Sequence, residues 1–213
     1  MTSHSFIAMK RTTISPSIRQ RQVQAAIYNI EAVKAELCRR SLFYFMQEFW
    51  PEVSNDEFKS NWHIENVLCP ELEKLAYRVA QNLPKEYDLI INVPPGTTKT
   101  ITCLIMFPVW CWLRWYWMRF ITGSYSGALS LESAEYSRDL VRSEKFARIF
   151  PDLQIKQDKD TKSNYRVVKI GTDGKPILGG SRFSTSVGGT VTGCLLYTSP
   201  SPRDRTRSRM PSS

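Results

Sequence analysis

The residues of this chain best suited to chemistry lie in one short stretch, Leu89 to Met106, which reads LIINVPPGTTKTITCLIM. An apolar, β-branched run leads into Pro94-Pro95-Gly96, then Thr97-Thr98-Lys99-Thr100, then a second apolar run. That order suits an anion. Backbone N–H groups converge at a helix N-terminus, where the helix dipole also favours negative charge. Pro94 and Pro95 lack an N–H, but Gly96, Thr97, Thr98, Lys99 and Thr100 each have one to donate. The two prolines stiffen the entry and reduce the entropy lost on ordering the loop. A phosphate cradle of this kind would be walled by Pro95 to Thr100. Lys99 would reach the β- and γ-phosphates of ATP, and the Thr100 hydroxyl would ligate Mg²⁺.

The standard phosphate-binding pattern is G-x-x-x-x-G-K-[ST]. Aligned on Lys99-Thr100, this chain has Val93 in place of the first glycine and Thr98 in place of the second. Gly96 is left to supply the conformational freedom. A strand–turn–helix unit with an incidental lysine would produce the same spacing, so the surrounding elements must decide. YDLIINV reads as a strand buried on both faces, because its apolar run is nearly continuous. A helix is expected from about Thr98 to Trp112, and RFITGSY as a second short buried strand.

Elsewhere the chain alternates helix and strand. Ser15-Pro16 is a helix start, with Pro at the first helical position. Val23, Ile27, Ile30, Val33 and Leu37 then form an apolar stripe, and Glu36 faces Arg40 one turn on. Leu42 to Trp50 is aromatic-rich core that Pro51 ends. After the acidic linker PEVSNDEF, the residues Ile64, Val67, Leu68, Leu72, Leu75 and Val79 keep a helical period with a possible break at Pro70. LSLESAEYSRDLVRSEKFARIF is a further helical stretch ending near Pro151. YRVVKIG, KPILGG and RFSTSV are short strands, with a hairpin turn at Thr172-Asp173-Gly174-Lys175. The pattern is α/β.

The 213 residues carry 29 lysines and arginines against 20 acids, a net charge of +9. That balance favours a polyanionic partner. Arg203, Arg205, Arg207 and Arg209, beside a single Asp204, contribute part of it from the last residues. The five cysteines form no C-x-x-C pair and none stands near a histidine, which argues against zinc and against a disulfide framework. The N-terminus has no signal-peptide core. The apolar run Ile101 to Ile121 is interrupted by Pro108 and cut by Arg114 and Arg119 to about 13 residues, too short to span a membrane. It reads as a buried helix and strand, with an interfacial membrane segment as the alternative.

NWHIENV followed by LIINVPPGTTKT resembles the entry helix and deviant Walker A loop of the large subunit of tailed-bacteriophage terminase, the ATP-driven DNA-packaging motor. FITGSYSGALSLESAEYSRDLVRS is similar to that family's second strand and following helix. GGSRFSTSVGGTVTG is similar to the Gly-, Arg- and Thr-rich segment before its Walker B strand. The resemblance runs from about Glu31 to Gly193. It implies an ASCE-like P-loop NTPase domain, incomplete at its C-terminus, with a mainly parallel sheet flanked by helices. Residues 1–50 would be an N-terminal helical segment and 51–193 the partial ATPase domain. It implies ATP and Mg²⁺ as cofactors, Lys99 as the catalytic lysine and Thr100 as the metal ligand. Trp62 and His63 would lie near the adenine, although an N-capping or packed Trp-His pair reads equally well. Double-stranded DNA, the small terminase subunit and the portal are the implied partners, in a homo-oligomeric ring at the procapsid in the host cytoplasm, without a membrane.

Two departures matter. Many relatives carry an arginine inside the loop, and none stands between Val93 and Thr100. Arg142 and Arg182 occupy motif-like positions instead, yet each would equally well pair with a carboxylate. The family's strand ending in Asp-Asp or Asp-Glu should follow Gly193, but the chain reads CLLYTSPSPRDRTRSRMPSS, where Ser-Pro-Ser-Pro forbids a central strand. The tail 194–213 reads either as a basic nucleic-acid-binding arm or, the preferred reading, as foreign sequence, since LLYTSPSPRD resembles translated adapter readthrough. The chain is then expected to lack the Walker B carboxylates and the nuclease domain. Asp152 and Asp158 are the acids that would have to stand in. A helicase-like motor and a nucleotide-binding fragment without turnover are the competing readings.

Overall fold

Short connections decide the strand directions. The computed structural model describes residues 16–84, 86–160 and 164–186. Within them β1 (Arg119–Ser124), β2 (Leu153–Asp160), β3 (Asn164–Ile170) and β4 (Pro176–Ser186) form one sheet in the order β1-β4-β3-β2. Residues 161–163 join β2 to β3 and residues 171–175 join β3 to β4, and links this short return the chain antiparallel. In the second link Gly174 takes a φ of +74°, and Asp173 Oδ1 accepts the Lys175 N–H at 3.2 Å. Only β1 and β4 run parallel. The expected mainly parallel sheet is therefore corrected to a mixed, mostly antiparallel one.

Three further expectations change. KPILGG and RFSTSV fuse into the single long strand β4, and β2 arises from a polar stretch that carried no strand signal. RFITGSY is an edge strand whose residues alternate between exposed and half-buried. YDLIINV forms no strand at all. Leu89 and Ile91 pack against the core while Ile90 between them is 87% exposed. Apolarity alone cannot make a strand, because its backbone must also find a neighbouring ladder.

Six α-helices are found among the described residues: α1 (Pro16–Arg40), α2 (Leu42–Phe49), α3 (Cys69–Ala80), α4 (Phe107–Arg114), α5 (Gly127–Arg142) and α6 (Glu144–Ile149). Ser41 and Ser143 cap α2 and α6, accepting the N–H of Tyr44 and of Phe146 at 3.2 Å each. Ser143 is also why the long helical stretch before Pro151 divides in two. Pro70 and Pro108 do not break their helices. Each stands in the first turn of an α-helix that continues a wide, π-helical segment, Ile64–Leu68 before α3 and Ile101–Met106 before α4. Proline has no N–H and crowds the carbonyl four residues back, and a widened turn accommodates both.

The core joins α2, α4, α6 and the sheet through aromatic rings. Phe49 lies 5.6 Å from Phe146 and 6.0 Å from Phe150, and Trp112 lies 5.9 Å from Tyr165 on β3. No helix among the described residues is long and apolar enough to cross a membrane. The α1 stripe does not face this core. Val23, Ile27, Ile30, Val33 and Leu37 are 41 to 60% exposed, and α1 is held instead by buried Ala35 and Cys38. The Arg40 Nε to Glu36 contact forms as expected, at 2.6 Å.

Glu48 on α2 fastens α1 and α6 together. Its Oε1 lies 2.8 Å from Lys34 Nζ and 3.1 Å from Lys145 Nζ. Burial pushes its carboxyl up, but the two lysines outweigh that and hold it below the usual carboxylate range. A carboxylate depressed on folding stabilises above its unfolded pKa of about 4.3, and the benefit is lost as pH falls through the folded value. Glu48→Gln should therefore cost about 1–2 kcal/mol at pH 7, between exposed and buried pairs. The deficit should shrink as pH falls through the lowered pKa of the folded carboxylate, as urea unfolding curves at neutral and at acid pH would report.

Candidate functional site

The loop from Pro94 to Ile101 walls a pocket of about 330 Å³, completed by Trp50, Ser54 and Asp56. Its shape follows from a few local contacts. Thr97 Oγ1 donates to the Pro94 carbonyl at 2.7 Å, closing the turn. Gly96 takes a φ of +80°, in the left-handed region that glycine adopts freely. Thr98 takes a φ of +59°, where a β-branched residue is strained. This is the position that the standard pattern gives to glycine. The helix then starts at once: the Thr98 carbonyl accepts the Thr102 N–H at 2.8 Å and the Thr102 hydroxyl at 3.1 Å.

This geometry leaves a run of amides without protein acceptors. Gly96, Thr97 and Thr98 donate their N–H groups to no backbone or side-chain oxygen among the described residues. Those of Lys99, Thr100 and Ile101 belong to the first helical turn, where no intrahelical acceptor exists. All six residues line the same pocket. Lys99 is exposed, and its ammonium takes no ion-pair partner among the described residues. Thr100, exposed beside it, carries a hydroxyl free to ligate a cation. The arrangement can hold an anion with several oxygens, and it fits a polyphosphate with Mg²⁺ by donor chemistry.

Asp56 is the one carboxylate among the pocket's lining residues. It is fixed by its backbone: its carbonyl accepts the Trp50 indole N–H at 2.8 Å, and its N–H donates to Ser54 Oγ at 3.2 Å. In the sequence these residues read only as an acidic linker. The available signal was the Ser-Asn-Asp cluster two residues after a Trp-Pro-Glu turn, and that signature marks any polar loop.

The remaining candidates lie elsewhere. Trp62, 72% exposed, and His63 stack edge to face with ring centroids 6.3 Å apart, and neither lines the pocket. Arg142 lines a different cavity with Phe150 and Leu153. Arg182 is fully buried beneath the helix that follows the loop, hydrogen-bonded to Leu104, Ser133 and Ser137. Asp152 stands 3.7 Å from Arg39, away from the loop, and Asp158 falls on β2 at the far edge of the sheet. Cys38, Cys69, Cys103 and Cys111 are free thiols, and no cluster of potential metal ligands occurs among the described residues. Residues 187–193 and the tail 194–213 lie outside the described residues.

Comparison of the chain with protein-family models, with curated proteins and with solved structures finds no match.

Proposed function

We propose that the chain binds the triphosphate of Mg·ATP in the pocket under Pro95–Thr100, and that it is a piece of an ATP-driven motor of the terminase large-subunit kind, which moves double-stranded DNA into a viral procapsid. One observation carries the nucleotide part of this reading: six consecutive residues, Gly96 to Ile101, line one pocket and carry amides without protein acceptors, beside an ammonium that has no ion-pair partner among the described residues. The motor part rests on the four sequence segments described above and on the net charge of +9, which suits a DNA backbone. In this reading the loop amides and Lys99 hold the phosphate oxygens, and Thr100 holds the Mg²⁺. The small terminase subunit, the portal and a homo-oligomeric ring enter as partners of the parent motor.

Turnover is a separate matter. An attacking water has to be oriented by an acidic or amide side chain. Asp56 is the single acid of the pocket wall. The pocket wall offers, among the described residues, no second carboxylate to share the Mg²⁺ and the attacking water between two acids, so we expect this chain to bind nucleotide and hydrolyse it negligibly. Titration with a fluorescent ATP analogue should give saturable, Mg²⁺-dependent binding that inorganic triphosphate competes away and adenosine does not. Binding that adenosine displaces as well as ATP would overturn the phosphate reading. Steady release of phosphate that Asp56→Asn abolishes would show that Asp56 serves the attacking water.

A further inference from the structure

We propose that Arg182 is a positioning residue for the phosphate loop: reaching up from β4, it holds the backbone carbonyl that Pro108 deprives of a helical partner, and so fixes the wide turn that directly follows Lys99 and Thr100. The proposal rests on the nucleotide reading of the loop and names what sets its geometry.

The chain creates the need for such a residue by itself. Pro108 has no N–H, and the residue four positions before it is Leu104, whose carbonyl therefore lacks an α-helical donor. An unpaired buried carbonyl is costly. The helix widens over Ile101–Met106, and donors arrive from outside it. Ser137 Oγ on α5 reaches the carbonyls of Leu104 at 3.2 Å and Ile105 at 3.0 Å. Arg182 Nη1 donates to the same Leu104 carbonyl and to Ser137 Oγ, and its Nη2 donates to Ser133 Oγ at 3.1 Å. One guanidinium thus joins the loop helix, α5 and the central strand β4.

The choice of arginine is what needs explaining. Its side chain is fully buried, and its acceptors are neutral oxygens with no carboxylate among them. Tyr165 stands directly opposite it across β3 and β4, but burial pushes that phenol up to about 12, so it provides no counter-charge. A buried cation without a counter-ion is expensive for mere packing. It is explicable if the fork geometry is needed, because only a guanidinium presents donors in a fixed plane to acceptors on two different elements. Leu104 is four residues beyond Thr100, about 6 Å along a helix. A shift of that carbonyl therefore moves the loop's first turn with it.

The test compares Arg182→Lys, Ser137→Ala and the double variant Arg182→Lys/Pro108→Ala in the 213-residue chain. Hydrogen exchange of residues 101–109 is measured without nucleotide, and Mg·ATP affinity is measured separately. Arg182→Lys should speed exchange in that segment at least tenfold relative to the rest of the chain and weaken binding about tenfold. Ser137→Ala, which removes one hydroxyl and should still fold, should do both by about threefold. Pro108→Ala returns an N–H to the Leu104 carbonyl and should restore protection and affinity to the lysine variant, a rescue that a packing role would not produce. Faster exchange with unchanged affinity, or no rescue, overturns the positioning role alone. If the unaltered chain binds no Mg·ATP, the nucleotide reading falls and the positioning role with it.

Discussion

Replacing Lys99 by alanine is expected to weaken Mg·ATP binding roughly 100-fold without lowering the stability of the fold. The two halves of that expectation come from the same geometry. Lys99 is exposed and takes no ion-pair partner among the described residues, so the protein loses no contact when its ammonium goes. A cation in the first turn of a helix also opposes the helix dipole, at a cost of about 0.3–1 kcal/mol. Its removal should raise the unfolding free energy slightly. In the proposed nucleotide complex the same ammonium would make charge-assisted bonds to phosphate oxygens, worth about 1.5–3 kcal/mol, and each 1.4 kcal/mol is tenfold in affinity. A residue that costs stability in the free protein and strengthens binding belongs to a ligand site rather than to the fold. Titration and urea unfolding on the same preparation separate the cases: lost affinity with an unchanged or raised unfolding midpoint supports the site. Unchanged affinity would remove Lys99 from it.

The parts of this molecule that were legible in the sequence are those fixed by neighbouring residues. The turn at Pro94–Thr97 and the helix start at Thr98 each depend on contacts within four residues, whereas the cap at Ser143, which divides the expected single helix before Pro151, was not read. The α1 period was legible too, but periodicity reports a stripe and not what covers it, and here Ala35 and Cys38 pack inward while the stripe stays exposed. Strand pairing was not legible. Val93 and its neighbours have the composition of a central strand, yet no ladder among the described residues reaches them, whereas polar Leu153–Asp160 pairs antiparallel with β3, which follows it closely in sequence. Asp56 was missed for a different reason: Trp50, six residues before it, holds its carbonyl locally, but the composition of that loop does not say that it will face residues 94–101. Arg182 was legible as an arginine in a motif-like position, with a phosphate and a carboxylate both open as its partner. Only the fold reveals that its acceptors are the carbonyl opposite Pro108 and two serines on one face of α5.

The two glycine-like positions of the loop should respond to substitution with opposite signs. Gly96 and Thr98 both have left-handed backbone, at φ of +80° and +59°. A Cβ added to Gly96 meets nothing within 4 Å, so Gly96→Ala incurs backbone strain alone, about 1–2 kcal/mol. Thr98 already bears that strain, and as a β-branched residue it sits at the upper end of the range. Thr98→Gly releases it, at the expense of about 0.5–1 kcal/mol of added freedom in the unfolded chain. It also gives up the half-buried bond from Thr98 Oγ1 to the Thr97 carbonyl, 2.7 Å long. The net expectation is a gain of about 1 kcal/mol, or 2–4 °C in melting temperature for a chain of this size. Gly96→Ala should lose a similar amount, leaving the two variants about 2–3 kcal/mol apart. Because Thr98→Gly keeps the amides where they are, Mg·ATP affinity should hold or improve, and Gly96→Ala should weaken it as the loop shifts to relieve its new Cβ. If Thr98→Gly instead lowers the melting temperature, the residue is not left-handed in solution. The amides of Gly96 to Ile101 then do not converge, and the chain has no phosphate site at this turn.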